Sequence, residues 1–203
     1  MSYPFPAARR ATAADVPALA KALARAFLDD PIATWVWRPE RLRLGALERF
    51  HATRLRQRLI DDEVWTTAGL EGAALWAPPG KWRTSLREDL EFVRPFLHPR
   101  LVARLPLIAH GMLELERRHP RAPDHWYLGV LGTDPPAQGR GVGSAVLAPV
   151  LEMCDRDGVG AFLESSKERN IAFYSRHGFR VVEELRLPHG GPPVWKMWRD
   201  PRS

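Results

Sequence analysis

The chain reads as one α/β domain, a mixed sheet flanked by helices, on three observations. Its 203 residues, 45% of them hydrophobic, suffice for one core, and no linker, repeat or low-complexity segment divides them. Short β-rich runs alternate with segments of helical period. The segment His125 to Thr133 is apolar without polar alternation, which predicts a strand buried on both faces.

The elements follow in order. Asp15 is a plausible N-cap for a helix carrying Val16, Leu19, Ala20, Leu23, Ala26 and Phe27, which ends near Asp29 and Asp30 because Pro31 cannot continue it. Residues 31–39 read as a loop with two large aromatics, Trp35 and Trp37. A helix of about residues 40–60 follows, with Leu44, Leu47, Leu55 and Leu59 on its inner face. Val64 to Thr67 and Ala73 to Trp76 form a hairpin around Gly69 and Gly72. Residues 84–118 read as a helical insertion broken by Pro95, Pro99 and Pro106 into two or three short helices. After the 125–133 strand, a glycine turn starts a helix that stops at Gly158 and contains Pro149, which a kink must accommodate. Strands at 160–164, 179–187 and 194–198, with a short helix at 168–176, complete the chain.

Composition excludes several classes. No run approaches the roughly 20 apolar residues of a membrane span, and the N-terminus lacks the apolar block of a secretory signal, so a soluble, cytoplasmic protein with no membrane partner is expected. The single Cys154 excludes a disulfide framework and a cysteine-rich zinc module, and no metal is expected. The formal charge is +6, yet residues 1–60 hold 11 Lys+Arg against 5 Asp+Glu, leaving 19 against 19 in the rest. The excess is an arginine-rich helix face, including Arg41, Arg49 and Arg56, either solvated or anion-attracting. It does not argue for nucleic acid.

The informative segment is Gln138-Gly139-Arg140-Gly141-Val142-Gly143-Ser144, passing from a buried strand into a helix. Glycines let backbone approach an anion, and the first helical N–H groups are unpaired at the positive end of the helix dipole. A Walker loop needs a Gly-Lys-Ser/Thr ending, which is absent. The dinucleotide fingerprint needs its third glycine one position later than Gly143.

The remaining pattern, Gln138, Gly141 and Gly143, resembles the acyl-CoA loop of the GNAT N-acetyltransferase superfamily. Thr133-x-Pro135 before it and Ala172 to Phe179 after it, with Tyr174 and Gly178-Phe179, resemble that family's flanking signatures, so the likeness covers roughly residues 125–199. Trp126 to Leu128, Phe162 to Ser166 and Arg169 to Tyr174 are most similar to the puromycin N-acetyltransferase subgroup. Lys167 departs from the asparagine many relatives carry there, which leaves Asn170 as the candidate for a pantetheine contact.

The resemblance implies a fold with strands splayed at an acetyl-CoA site, an acetyl-CoA-binding half at 125–199 and an acceptor-side half at 1–124. It implies that the backbone of Leu131, Gly132 and Thr133 pairs with the pantetheine. Gln138, Gly139, Arg140, Gly141, Val142, Gly143 and Ser144 would wrap the pyrophosphate. Tyr174 would protonate the departing thiolate, or else pack in the core. Glu164 would be a general base or ammonium anchor, or else a strand-end carboxylate paired with arginine or capping the next helix. Asp30, Trp35 and Trp37 are acceptor-side candidates, against helix-end charge and core packing as the alternatives. The implied function is acetyl-CoA-dependent acetylation of a primary amine, with a small molecule as acceptor and a homodimer as a possible assembly. A non-catalytic CoA-binding module, a peptide acetyltransferase and a nucleic-acid binder are the competing readings.

Overall fold

The computed structural model describes residues 6–61, 63–83 and 104–202. Seven strands form one sheet in the order β1-β2-β3-β4-β5-β7-β6. They are β1 (Ala8–Arg10), β2 (Val64–Thr67), β3 (Gly72–Ala77), β4 (His125–Thr133), β5 (Gly160–Ser165), β6 (Arg180–Arg186) and β7 (Pro193–Arg199). All neighbouring pairs are antiparallel except β4 and β5. The fold is the expected mixed α/β sheet flanked by helices. β1 has no counterpart in the sequence reading, since three residues are too few to show a period.

Helices cover both faces. α1 (Val16–Ala26) and α3 (Glu40–Arg58) bury Leu19, Leu23 and Leu55 with Val64, Ala73 and Leu75 of the sheet. α2 (Pro31–Val36) and α4 (Leu105–Arg117) pack on the same side with Leu185, Leu187 and Val194. The opposite face belongs to α5 (Val142–Asp157) and α6 (Ile171–Arg176), whose Val146, Leu147, Val150 and Tyr174 pack on Trp76, Trp126, Leu128, Leu163 and Met197. Each fully buried side chain of this size contributes about 1.5–3 kcal/mol by burial. Among the described residues, no helix is long and apolar enough to cross a membrane.

Two local expectations are corrected. Residues 31–36 are helix rather than loop, because the Asp30 carboxylate accepts from the N–H groups of Ile32 (2.9 Å) and Ala33 (3.2 Å), and Pro31 supplies a preset φ at the first turn. Pro106 lies in the first turn of α4, so a helix boundary falls at that proline as expected, while residues 84–103 of the expected insertion lie outside the described residues. Leu44 is exposed rather than on the inner face of α3, which buries Ala46, Leu47, His51, Leu55 and Gln57. α5 runs through Pro149 as one helix and ends at Gly158, whose φ of 67° lets its N–H reach the Cys154 carbonyl.

Candidate active site

The parallel pairing of β4 with β5 runs from His125↔Gly160 to Leu128↔Leu163 and stops there. On its other edge β4 stays paired with β3 as far as Thr133. From Gly129 onward the β4 edge facing β5 is therefore unpaired, and the strands splay. This opening also explains why β4 is not buried throughout as expected: its first half is buried, and much of its second half is partly exposed.

The gap leads into a cleft of about 1070 Å³. One wall is the free β4 edge at Leu131, Gly132 and Thr133. The floor is the whole Gln138 to Ser144 turn. The far wall is Lys167, Arg169, Asn170, Phe173, Tyr174 and Arg176, and the end of α1 with Asp30 closes the remaining side. Every residue placed at the acetyl-CoA site by the sequence motifs thus lines one cavity.

The turn owes its shape to two glycines. Gly139 and Gly141 have φ of 78° and 82°, in the left-handed region that side chains disfavour. Gly141 is the N-cap of α5 and no side chain caps the helix, so its first N–H groups are open to the cleft with the helix dipole behind them. The Gln138 side chain folds back to donate to the Thr133 carbonyl (3.1 Å), tying the turn to the end of β4. Ser144 Oγ lies 3.0 Å from His177 Nε2, tying α5 to α6. Arg25 holds Asp134 through a two-pronged contact of 2.8 and 2.5 Å, fixing α1 against the same turn.

Tyr174 is packed at the cleft wall against Phe173 and Phe179, and burial, with the Asp30 charge second, pushes its phenol up. It is therefore protonated at neutral pH and able to donate. Asp30 is raised by burial while it caps α2 and accepts from Ser166 Oγ at 2.5 Å. Lys167 does not reach across as an asparagine substitute; its ammonium is spent on Asp29 at 2.5 Å, beside Arg169 at 2.9 Å from the same carboxylate. Asn170 sits at the start of α6 in the cleft wall.

Glu164 is not among the cleft-lining residues. It lies on β5 with its side chain on the α1–α4 face, as does its strand neighbour two residues back, Phe162, which pairs with Tyr127. Tyr127 donates to its Oε2 at 2.9 Å, whereas Oε1 is buried with no hydrogen-bond partner among the described residues. Burial pushes the Glu164 carboxyl up to about 7, against the opposing pull of Tyr127 and Lys196. The expected arginine partner or helix cap for Glu164 is absent among the described residues. Two residues further on, Ser166 joins Asp30 at the cleft.

Trp35 and Trp37 do not line the cleft either. The helix capped by Asp30 turns both inward, where they are 6% and 4% exposed in the cluster of Leu47, Ile108 and Leu187. Sequence reasoning missed Tyr127 and the cationic wall of Arg169 and Arg176. Parallel pairing of 125–128 with 160–163 would have placed Tyr127 on the same face as Glu164, but pairing register is not written in either strand alone.

A parallel strand pair that opens over an uncapped, glycine-led helix start is the geometry the acyl-CoA resemblance implies, and the family match makes the class that of an acyltransferase. The chain belongs to the acetyltransferase (GNAT) family, whose model matches residues 71–179. It is 25% identical over 97% of its length to an N-acetyltransferase of Schizosaccharomyces pombe described as uncharacterized, covering 84% of that protein. Its fold is similar to that of a histone acetyltransferase HPA2 and related acetyltransferase from Corynebacterium glutamicum (TM-score 0.69, 24% identity, 98% of each chain). It is also similar to a polyamine N-acetyltransferase of Drosophila melanogaster (TM-score 0.58, 14% identity, 95% of this chain and 98% of the other).

Proposed function

We propose that this enzyme acetylates the primary amine of a small molecule by direct attack on acetyl-CoA in a ternary complex, as in the puromycin N-acetyltransferase subgroup its motifs resemble. The observation that carries the reading is the unpaired β4 edge running without interruption into the uncapped start of α5. An extended pantetheine can add to that edge as a strand would, and a pyrophosphate can sit on the helix N–H groups. The wall stays net positive, with Lys167 and Arg169 sharing the one Asp29 carboxylate and Arg176 beside them, and suits the same polyanion.

The chain's own groups supply the rest. Backbone N–H groups near Thr133 polarise the thioester carbonyl as negative charge develops on it. Glu164, poised near neutrality by burial, takes the proton that the attacking ammonium must lose, directly or through water. Tyr174, held protonated, returns a proton to the departing sulfur. A carboxylate buried outside the cleft lining suits a compact, flexible amine, or a relaying water, better than a residue on a folded protein surface. The test is thiol release from acetyl-CoA over a panel of puromycin, aminoglycoside, polyamine, arylalkylamine and peptide amines. Small amines should support turnover; release confined to the peptide amines would overturn the acceptor assignment.

A further inference from the structure

On the α1–α4 face of the sheet, below the site, lies a set of buried polar groups that the acyl-CoA cleft does not use. Glu164 is at its centre, and two neighbours have the chemistry to hold its carboxylate, Tyr127 and Lys196, with His119 edge-on to Tyr127. Lys196 and His119 are committed elsewhere. Lys196 stands opposite Glu164 in the β5–β7 register, yet its ammonium donates to Glu183 Oε2 at 2.7 Å and to the Arg118 carbonyl. His125 Nδ1 must donate to the Pro123 carbonyl at 2.8 Å, so its Nε2 is the acceptor for His119 Nε2–H at 3.1 Å. With Trp82 stacked on it at 3.9 Å between ring centres, His119 has no freedom to turn.

Tyr127 is therefore the single group among the described residues that is hydrogen-bonded to Glu164, and it occupies one oxygen. Its ring is itself fixed, stacked near Phe162 and edge-on to His119. The second oxygen, Oε1, is buried and has no hydrogen-bond partner among the described residues, a cost that a role in accepting a proton would account for. We propose that Tyr127 is the positioning residue of the acetyl transfer: by holding Oε2 it fixes the carboxylate and leaves Oε1 as the one oxygen free to accept the acceptor's proton. The proposal rests on the reading of Glu164 as the base. In the proton transfer, the lone pair of Oε1 takes the ammonium hydrogen, the N–H electron pair stays on nitrogen for attack, and Tyr127 keeps its own proton throughout. The other charged groups facing this pair are Lys196 and Glu183 from β7 and β6 and, toward Tyr127, Arg54 and Arg58 from α3.

Carboxyl 13C titration of the full chain labelled at glutamate tests this without any acceptor. The wild type should show one resonance titrating near 7 that Glu164→Gln removes. Because the Tyr127 bond favours the charged form, Tyr127→Phe should move that midpoint up by about one pH unit, and the acid limb of kcat for the best panel amine should follow it. Fluorotyrosine at position 127, a stronger donor of nearly the same size, should move both the other way and guards against a folding failure of the phenylalanine variant. A midpoint and acid limb that ignore both changes at Tyr127, while Glu164→Gln still removes them, would overturn the positioning role and leave the base assignment standing. A wild type with no glutamate titrating near neutrality would overturn both.

Discussion

The two sides of the sheet solve different problems with different materials. On the side of α5 and α6 the cleft is built from backbone: a free strand edge, two left-handed glycines and an uncapped helix start. On the side of α1 to α4 lie buried side chains whose protonation is set by burial, chiefly Glu164 with Tyr127, and the neutral histidines His119 and His51. The first side is tuned to a charge that is always present. On the second, Glu164 is the one of these groups that burial brings to about 7, while the histidines stay neutral and Tyr127 stays protonated.

That division is sharpest at Glu164. Glu164→Gln preserves volume and the Tyr127 contact but removes the base, so turnover at pH 7 should fall by about 100-fold or more while acetyl-CoA affinity stays within about twofold. Single-turnover kinetics and calorimetry with CoA separate the two. A loss of CoA affinity instead would place Glu164 in the cleft rather than beside it.

Gly139→Asp makes the opposite demand. Nothing lies within 4 Å of a Cβ at Gly139, and aspartate tolerates its φ of 78° better than most residues, so the fold should survive. A negative charge in the anion cradle should weaken CoA about 100-fold by calorimetry while leaving the Glu164 titration in place. Unchanged affinity would mean that the pyrophosphate does not lie on this turn.

Tyr174 bridges the two sides, because its phenol lines the cleft and feels Asp30 from the α1 end. Tyr174→Phe should lower kcat about tenfold or more with little change in the KM for acetyl-CoA. Retained turnover would return Tyr174 to the core cluster it shares with Phe179 and Leu163.

The same division explains what the sequence can and cannot carry. Backbone recognition depends on residue types at fixed spacing, so Gln138, Gly141 and Gly143 are legible within a single segment, as is the order of the strands around them. Side-chain constellations depend on register between distant strands, so the sequence singles out Glu164 but not Tyr127. Trp35 and Trp37 go astray for a related reason. Asp30 reads as the end of one helix, but its carboxylate starts another, and six residues of helix turn both rings inward. The arginine-rich face of α3 serves in part to hold the fold together, since Arg43 donates to the carbonyls of Trp37 (3.0 Å), Leu28 and Arg38 and so fastens the α2–α3 connection.

The smallest effect is on stability, and it lies wholly on the α1–α4 side. His51 is buried between Phe27 and Phe50, at 5.0 and 5.1 Å between ring centres, with neither ring nitrogen hydrogen-bonded among the described residues. Burial, with Arg54 second, depresses it from 6.5 to about 3, and burial does the same to His119. A histidine held neutral in the fold takes up its proton at higher pH once unfolded. Its contribution is therefore intact above about pH 6.5 and is lost as pH falls toward 3, at up to ~1.4 kcal/mol per pH unit for each such group. Replacing His51 by phenylalanine removes one of these protons and two orphaned nitrogens among rings that already accept an aromatic neighbour. Urea unfolding between pH 6 and 4 should then show a stability slope shallower by about one proton, with stability at pH 7 unchanged or raised. An unaltered slope would mean that His51 finds a partner for its proton in the folded state, and that the α1–α4 side is less closed to water than its neutral histidines require.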